Sequence, residues 1–190
     1  MKKRVFIIHG WDGSPKESWL PWLKDELEKR NFEVIVPSMP DSENPKIEEW
    51  VETLSKLVGE TDENTFFVGY SIGGQTVLRY LQNINEKVGG VILVAGWVHL
   101  TNLLDDEVEI AIPWVKTPIN WERIKNKTDN FMAIFSDNDQ YVPLSDSEIF
   151  KEKLGAKIII EKGKGHFTED DNVYEIPVAL KELLRITEKV

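Results

Sequence analysis

The sequence predicts an α/β protein with a mostly parallel sheet of about six strands and helices on both faces. Short runs of β-branched and aromatic residues alternate with amphipathic stretches along the 190 residues. The runs are almost continuously apolar, which is typical of parallel strands that are covered on both sides. Right-handed crossovers between such strands distribute the helices over the two faces, so three layers are expected.

Six strands follow from the short apolar runs, each bounded by polar or turn-forming residues. They are predicted at Arg4–His9, Glu33–Val36, Thr65–Gly69, Gly90–Val94, Phe131–Phe135 and Lys157–Ile160.

Five helices follow from apolar residues spaced three and four positions apart. Trp19, Leu23 and Leu27 share one face of the first helix, and Ile47, Trp50, Leu54 and Val58 share one face of the second. The predicted helices are Trp19–Arg30, Ile47–Val58, Ser71–Leu81, Ser145–Leu154 and Val173–Glu188.

The segment 95–130 interrupts the alternation of strand and helix. It has no clear strand, and it contains His99, four acidic residues between positions 105 and 109, and three tryptophans at positions 97, 114 and 121. A connection of this length is usually functional or has helices of its own. We expect one domain over residues 1–190, with this segment either serving as a lid with pocket-lining tryptophans or closing one face of the sheet.

Composition excludes several classes of function. The chain has no cysteine, so disulfides, zinc–thiolate sites and cysteine nucleophiles are ruled out. Its formal net charge is −10 without a basic stripe, which argues against nucleic-acid binding. The N-terminal apolar run, Val5–Ile8, is too short for a signal peptide or a membrane span, so we expect a cytoplasmic protein that does not bind membranes.

The most informative motif is G-x-S-x-G at residues 69–73, between a predicted strand and a predicted helix. A serine on so sharp a turn exposes its Oγ and occupies a strained backbone conformation, while side chains two positions away would collide with backbone. Gly69 and Gly73 satisfy that requirement. The start of the following helix also favours negative charge beside the serine. Ser71 is therefore the candidate nucleophile.

A serine nucleophile needs a positioned base, and His166 is the best of three histidines. It follows the last predicted strand between Gly165 and Phe167, at the sheet edge where parallel strands present their ligands. It also completes the order Ser…Asp…His. His99 is better interpreted as an exposed or lid-packing residue, and His9 as a structural neighbour of the oxyanion loop.

Two carboxylates compete to orient that histidine, because both follow the strand ending at Phe135. Asp139 stands three residues before Val142-Pro143, a D-x-x-V-P spacing that favours it over Asp137. Asp137 has a structural alternative, since its carboxylate can bond nearby backbone N–H groups and shape the turn.

An oxyanion hole requires two backbone donors aimed at the developing charge. We assign one to the N–H of Ile72, directly after the nucleophile, and the other to the N–H of Trp11 in the loop after the first strand. Gly10 lets that loop approach a substrate closely.

With these motifs in this order, the chain resembles the α/β hydrolases, and more narrowly the small serine hydrolases of the retinoblastoma-binding protein 9 and YdeN group. The resemblance covers essentially the whole chain. The matching segments are His9–Trp11, Trp19–Leu23, Pro37–Pro40, Gly69–Gly73, Gly89–Val94 and Gly165–Phe167. It implies a minimal three-layer α/β-hydrolase fold with Ser71, Asp139 and His166 as the catalytic triad. The L-x-C-x-E contact proposed for that family is unsupported, because this chain lacks cysteine.

These residues predict hydrolysis of a small carboxylic ester through an acyl-enzyme on Ser71, with Trp11, Tyr70 and Trp97 contacting the substrate. No metal or organic cofactor is required by this chemistry. Two alternatives remain open at this point. The same triad could cleave an amide, peptide or thioester, or the fold could serve as a non-catalytic protein-interaction module.

Overall fold

The computed structural model describes residues 2–188, and six parallel strands form its single sheet. The strands are β1 (Arg4–Ile8), β2 (Glu33–Ile35), β3 (Thr65–Tyr70), β4 (Gly90–Val94), β5 (Phe131–Ser136) and β6 (Lys157–Glu161). Their order across the sheet is β2-β1-β3-β4-β5-β6, and each neighbouring pair is parallel. The predicted strands are confirmed to within one residue at either end.

Residues 2–188 contain seven helices. They are α1 (Leu20–Glu28), α2 (Ile47–Val58), α3 (Ile72–Leu81), α4 (Asp105–Lys116), α5 (Trp121–Lys125), α6 (Asp146–Leu154) and α7 (Pro177–Thr187). A hydrophobic core lies on each face of the sheet, and alternate residues of β1 point into one or the other. Val5 and Ile7 pack with α1 and α7, while Phe6 and Ile8 pack with α2, α3 and α6. The expected three-layer α/β-hydrolase architecture is therefore present.

Two helices are shorter than predicted at their ends. Helix α7 begins at Pro177 and not at Val173, because proline lacks the N–H that an interior helical position donates and disfavours helical backbone in the residue before it. Helix α1 begins at Leu20 and ends at Glu28, and Asn31 beyond it adopts a positive φ of 66°, which a continuing helix does not allow.

The segment 95–130 contains the two helices that the sequence pattern did not resolve, α4 and α5. Its central anchor is Trp114, which is buried, packs edge-on against Trp50 and donates from Nε1 to the carbonyl of Pro45 at 2.8 Å. The buried guanidinium of Arg79 donates to the carbonyls of Trp114 and Thr117, at the C-terminal end of α4. This end of the segment is thus fixed to the core.

The carboxyl ends of β1, β3, β4, β5 and β6 meet at one edge of the sheet, where the loops that follow them carry the candidate site residues. Within residues 2–188, no helix is long and apolar enough to cross a membrane. The predicted single domain also includes Met1, Lys189 and Val190, which lie outside the described residues.

Candidate active site

Ser71 occupies the strained turn between β3 and α3, with φ 50° and ψ −118°. A Cβ on Gly69 would lie 2.5 Å from the Cα of Gly74, and one on Gly73 would lie 2.3 Å from the carbonyl oxygen of Ile8. Neither separation is possible for a real side chain. The N–H of Ser71 donates to the carbonyl of Val94 at 2.9 Å, which ties the turn to β4. The local sequence therefore dictates both the sharpness of the turn and its place in the sheet.

Three predicted residues meet at this turn. The Nε2 atom of His166 lies 3.0 Å from the Oγ of Ser71, and its Nδ1 atom lies 2.8 Å from Oδ2 of Asp139. The side chain of Asp139 is almost completely buried, and the side chain of His166 is mostly buried. A hydroxyl, an imidazole and a carboxylate in this sequence form the arrangement that activates a serine.

The two carboxylates after β5 have different environments. The Oδ1 atom of Asp139 accepts hydrogen bonds from the N–H groups of Tyr141 and Val142 at 2.9 and 3.0 Å, which leaves Oδ2 for the imidazole. Asp137 points elsewhere and accepts from the N–H of Gly163 at 2.8 Å. Asp137 thus bonds a backbone N–H, as expected of it, but the N–H belongs to the loop after β6 and not to its own turn.

The loop that carries His166 is held by residues that sequence reasoning missed. One carboxylate oxygen of Asp171 accepts from the N–H of His166 at 2.8 Å and from the N–H and hydroxyl of Thr168. The hydroxyl of Ser18 donates to the carbonyl of Phe167, across 149 residues of sequence. The T-x-x-D spacing of Thr168 and Asp171 signals a local turn, but no sequence pattern reveals the contact from Ser18.

Tyr70 also holds the loop that carries His166. It is buried, its hydroxyl donates to the carbonyl of His166 at 2.8 Å, and its ring packs edge-on against Trp19. Burial, reinforced by the charges of Glu17 and Asp139, holds the pKa of Tyr70 well above its usual value, so the phenol remains a donor. A second ring, from Tyr141, packs edge-on against the imidazole at 5.3 Å.

The two expected oxyanion donors lie at the same cavity as Ser71. Trp11 and Ile72 both line it, and neither backbone N–H donates to a protein acceptor within residues 2–188. The indole of Trp11 is fixed by a 2.9 Å hydrogen bond to the carbonyl of Glu43. These N–H groups therefore remain available to a ligand.

His9 is buried beneath the loop that carries Trp11. Its Nδ1 lies 2.8 Å from the carbonyl of Gly10, and its Nε2 accepts from the N–H of Met39 at 3.0 Å. Burial lowers the pKa of His9, so a neutral imidazole with its proton on Nδ1 satisfies both contacts. His99, by contrast, is exposed and bonds the buried carboxylate of Asp146.

The cavity above Ser71 has a volume of about 730 Å³, which is within the range of small-molecule sites. Trp97 lines it, and its carbonyl accepts a hydrogen bond from the side chain of Gln75. Trp114 and Trp121, the other tryptophans of the segment, are outside this lining and pack in the core. Of the three, only Trp97 has the expected pocket position.

The walls of this cavity differ in polarity. Its apolar members come mostly from the start of α3, the connection between β4 and α4, and α4 itself: Ile72, Trp97, Leu100, Leu103 and Ile110. Among residues 2–188, no lysine or arginine lines the cavity. Seven carboxylate residues do: Asp12, Glu17, Glu43, Asp106, Glu107, Glu169 and Asp170. Burial, together with the charges of Glu169 and Asp12, raises the pKa of Glu17.

No cluster of three or more His, Asp and Glu side chains is placed to hold a metal ion in the described part of the chain.

Comparison with known proteins finds similarity to serine hydrolases over nearly the whole chain. The family model for serine hydrolases matches residues 5–185. The protein YdeN of Bacillus subtilis is 30% identical over 180 residues, covering 94% of this chain and 93% of the relative. Its crystal structure has a TM-score of 0.90 at 28% identity and covers 98% of this chain and 100% of that one. The serine hydrolase RBBP9 of Rattus norvegicus is 27% identical over 177 residues, covering 93% and 87%.

A more distant structure shares the fold alone. Est1E from Butyrivibrio proteoclasticus, in its complex with ferulic acid, has a TM-score of 0.72 at 14% identity and covers 98% of this chain and 88% of that one.

Proposed function

The chain belongs to the serine hydrolase family, and from this we propose that it hydrolyses small carboxylic esters through an acyl-enzyme intermediate on Ser71. The observation that carries the proposal is the relay of two contacts, 3.0 Å from Ser71 Oγ to His166 Nε2 and 2.8 Å from His166 Nδ1 to Asp139 Oδ2. Both contacts have the length that proton transfer and tautomer control require.

In the first half of the reaction, Ser71 Oγ forms a bond to the ester carbonyl carbon while its proton passes to His166 Nε2. The carbonyl oxygen becomes an oxyanion and accepts hydrogen bonds from the N–H groups of Trp11 and Ile72. When the oxyanion collapses, the carbon–oxygen bond to the alcohol breaks, and His166 returns its proton to the departing oxygen. The acyl group is then esterified to Ser71.

In the second half, a water molecule takes the place of the alcohol. His166 removes one proton of the water as its oxygen attacks the acyl carbon, and the same two N–H groups stabilise the new oxyanion. Collapse breaks the bond to Ser71 Oγ, and His166 gives the proton back to the serine. Asp139 forms no covalent bond in either half; it orients the imidazole and stabilises the imidazolium.

The cavity supports a neutral or cationic substrate. Seven carboxylate residues line it, so a substrate carboxylate would enter a field of like charge at a cost that grows as water is excluded. Trp11, Tyr70 and Trp97 are the substrate contacts that we propose. The cytoplasmic location and the lack of a nucleic-acid or membrane partner remain predictions from the sequence.

Labelling with a fluorescent fluorophosphonate tests the nucleophile. The wild-type protein should become covalently labelled. The Ser71→Ala variant should not, provided that its circular dichroism spectrum shows it to be folded like the wild type. A folded wild-type protein that stays unlabelled would contradict the proposal. A panel of one acyl group on ester, thioester and amide leaving groups then tests the bond: ester turnover should be highest.

A further inference from the structure

A second cavity, of about 410 Å³, lies on the outer side of helix α4. Three of its apolar side chains are unusually exposed for their type, at 39% for Val108, 40% for Ile112 and 43% for Val115. Its remaining lining consists of His99, Leu100, Asn102, Leu103, Ala111 and Lys116. We call this cavity the α4 groove. Its apolar floor suits a hydrocarbon chain.

Two residues line both the α4 groove and the cavity above Ser71, namely Leu100 and Leu103. The two cavities therefore adjoin along these side chains, which form a wall between them. Both leucines are partly buried.

The backbone under this wall is fixed. The N–H groups of Val98 and His99 donate to the buried carboxylate of Asp146 at 2.6 and 2.7 Å. The N–H of Thr101 donates to the carbonyl of Tyr141 at 2.9 Å, in the loop that carries Asp139. The backbone on both sides of Leu100 is therefore held by hydrogen bonds, so truncating a leucine side chain is the smallest change that opens the wall.

The chemistry of the leaving group decides which part of an ester faces this wall. His166 must reach the alcohol oxygen to protonate it, so the alcohol lies against the imidazole. We assign the acyl group to the apolar part of the lining, which includes Trp97, Leu100 and Leu103.

We propose that Leu100 and Leu103 set the upper limit of acyl length in this enzyme, and that the α4 groove is the subsite a longer acyl chain occupies when that wall is shortened. The inference rests on the proposed ester hydrolysis and adds the class of acyl group. The wild-type enzyme is selective for short acyl chains, since a long chain meets the wall before it is buried.

The test compares kcat/KM for p-nitrophenyl acetate, butyrate, hexanoate, octanoate and decanoate. The wild type should be fastest with acetate or butyrate. In Leu103→Ala the ratio of octanoate to butyrate should rise about tenfold or more, because two or more methylene groups gain an apolar site. Leu104→Ala is the matched control, since Leu104 is the next residue, is 67% exposed and lines neither cavity.

A second substitution locates the longer chain. In the Leu103→Ala background, Ile112→Asp places a charge in the groove and should abolish the gain with octanoate while leaving butyrate hydrolysis within about twofold. Thermal unfolding of each variant, and Leu100→Ala as an alternative opening of the wall, separate this effect from misfolding.

Three results would overturn the inference. An unchanged chain-length profile in both folded leucine variants would show that the wall does not select. A gain that survives Ile112→Asp would show that the chain lies elsewhere. A wild-type optimum at octanoate or decanoate would show that no wall limits length. If instead no ester is hydrolysed and no fluorophosphonate reacts, the proposed function itself is wrong, and the inference falls with it.

Discussion

Asp139 holds His166 with only one of its carboxylate oxygens. Oδ2 lies 2.8 Å from Nδ1 of the imidazole, and Oδ1 is occupied by two backbone N–H groups of its own loop. The backbone contacts fix the rotation of the carboxylate, and the carboxylate in turn fixes the imidazole. The conformation of the turn after β5 therefore determines how the imidazole is oriented.

This division of contacts predicts the effect of removing the charge. Asp139→Asn should lower kcat by about two to four orders of magnitude with little change in KM, because the amide favours the wrong tautomer and cannot stabilise the imidazolium. Asp137→Asn is the control and should keep most of the activity, since Asp137 contacts Gly163. Steady-state kinetics on one ester checks both, and a reversed result would exchange the roles of the two residues.

Tyr70 should act as a positioning residue for His166. Tyr70→Phe removes the donor to the partly buried His166 carbonyl, and the loss of one such hydrogen bond costs about 0.5–1.5 kcal/mol. We expect a lower kcat, a nearly unchanged KM and a reduced urea midpoint. Tyr174→Phe, at a residue that is 56% exposed, should change none of the three. Equal behaviour of the two variants would remove Tyr70 from the support of the histidine.

Asp171 should support the same histidine from the other side of its loop. Asp171→Ala removes the acceptor of the His166 N–H and of Thr168, so we expect kcat to fall by about tenfold or more and fluorophosphonate labelling to slow. The neighbouring Asp170→Ala should leave the hydrolysis of a neutral ester close to that of wild type. If labelling rates of all three proteins agree, the loop does not depend on this carboxylate.

The carboxylates around the cavity predict selection by charge. At low ionic strength, an ester with a quaternary-ammonium alcohol should exceed its neutral isostere in kcat/KM by about tenfold, and an anionic isostere should fall below it. Added salt should reduce both differences. Asp170→Asn should weaken the preference, whereas Glu152→Gln, the same charge change on α6 outside the cavity lining, should not. Equal rates for the three esters would contradict this electrostatic selection.

His9 should make stability depend on pH. Burial lowers the pKa of His9 in the folded protein, while the unfolded chain takes up the proton near pH 6.5. Below that pH the unfolded state binds more protons, so stability falls as the pH drops toward the folded pKa, by at most about 1.4 kcal/mol per unit.

Urea unfolding between pH 7 and pH 5 measures this slope. His9→Gln retains an acceptor for the Met39 N–H but does not titrate, so its free energy of unfolding should change less over the same interval. Parallel curves for wild type and variant would assign the pH dependence to other groups.

The sequence was most informative where a local pattern has one structural solution. Gly69 and Gly73 are required by contacts within a few residues and against β1, and the apolar runs locate every strand to within a residue. Helix α4 was not predicted, because Pro113 lies inside it and because its apolar residues form no single face: some line the α4 groove and others pack in the core.

The candidate site divides in the same way. Ser71, Asp139 and His166 are recognisable because each follows a strand in a fixed order along the chain. The contact of Ser18 with Phe167 and the shared lining of Leu100 and Leu103 depend on how distant loops meet in space. The spacing of residues along the sequence does not indicate which distant loops come into contact.

The backbone conformation of Ser71 has a consequence for how this protein can change over time. A non-glycine residue at φ 50° and ψ −118° carries a conformational penalty of about 1–3 kcal/mol, which glycine at the same position would relieve. We therefore expect Ser71→Gly to lose the proposed activity and to gain that relief less about 0.4–1 kcal/mol, because glycine leaves the unfolded chain more freedom. Folding alone therefore favours glycine at this position, and the proposed nucleophile is present at a cost to the stability of the protein.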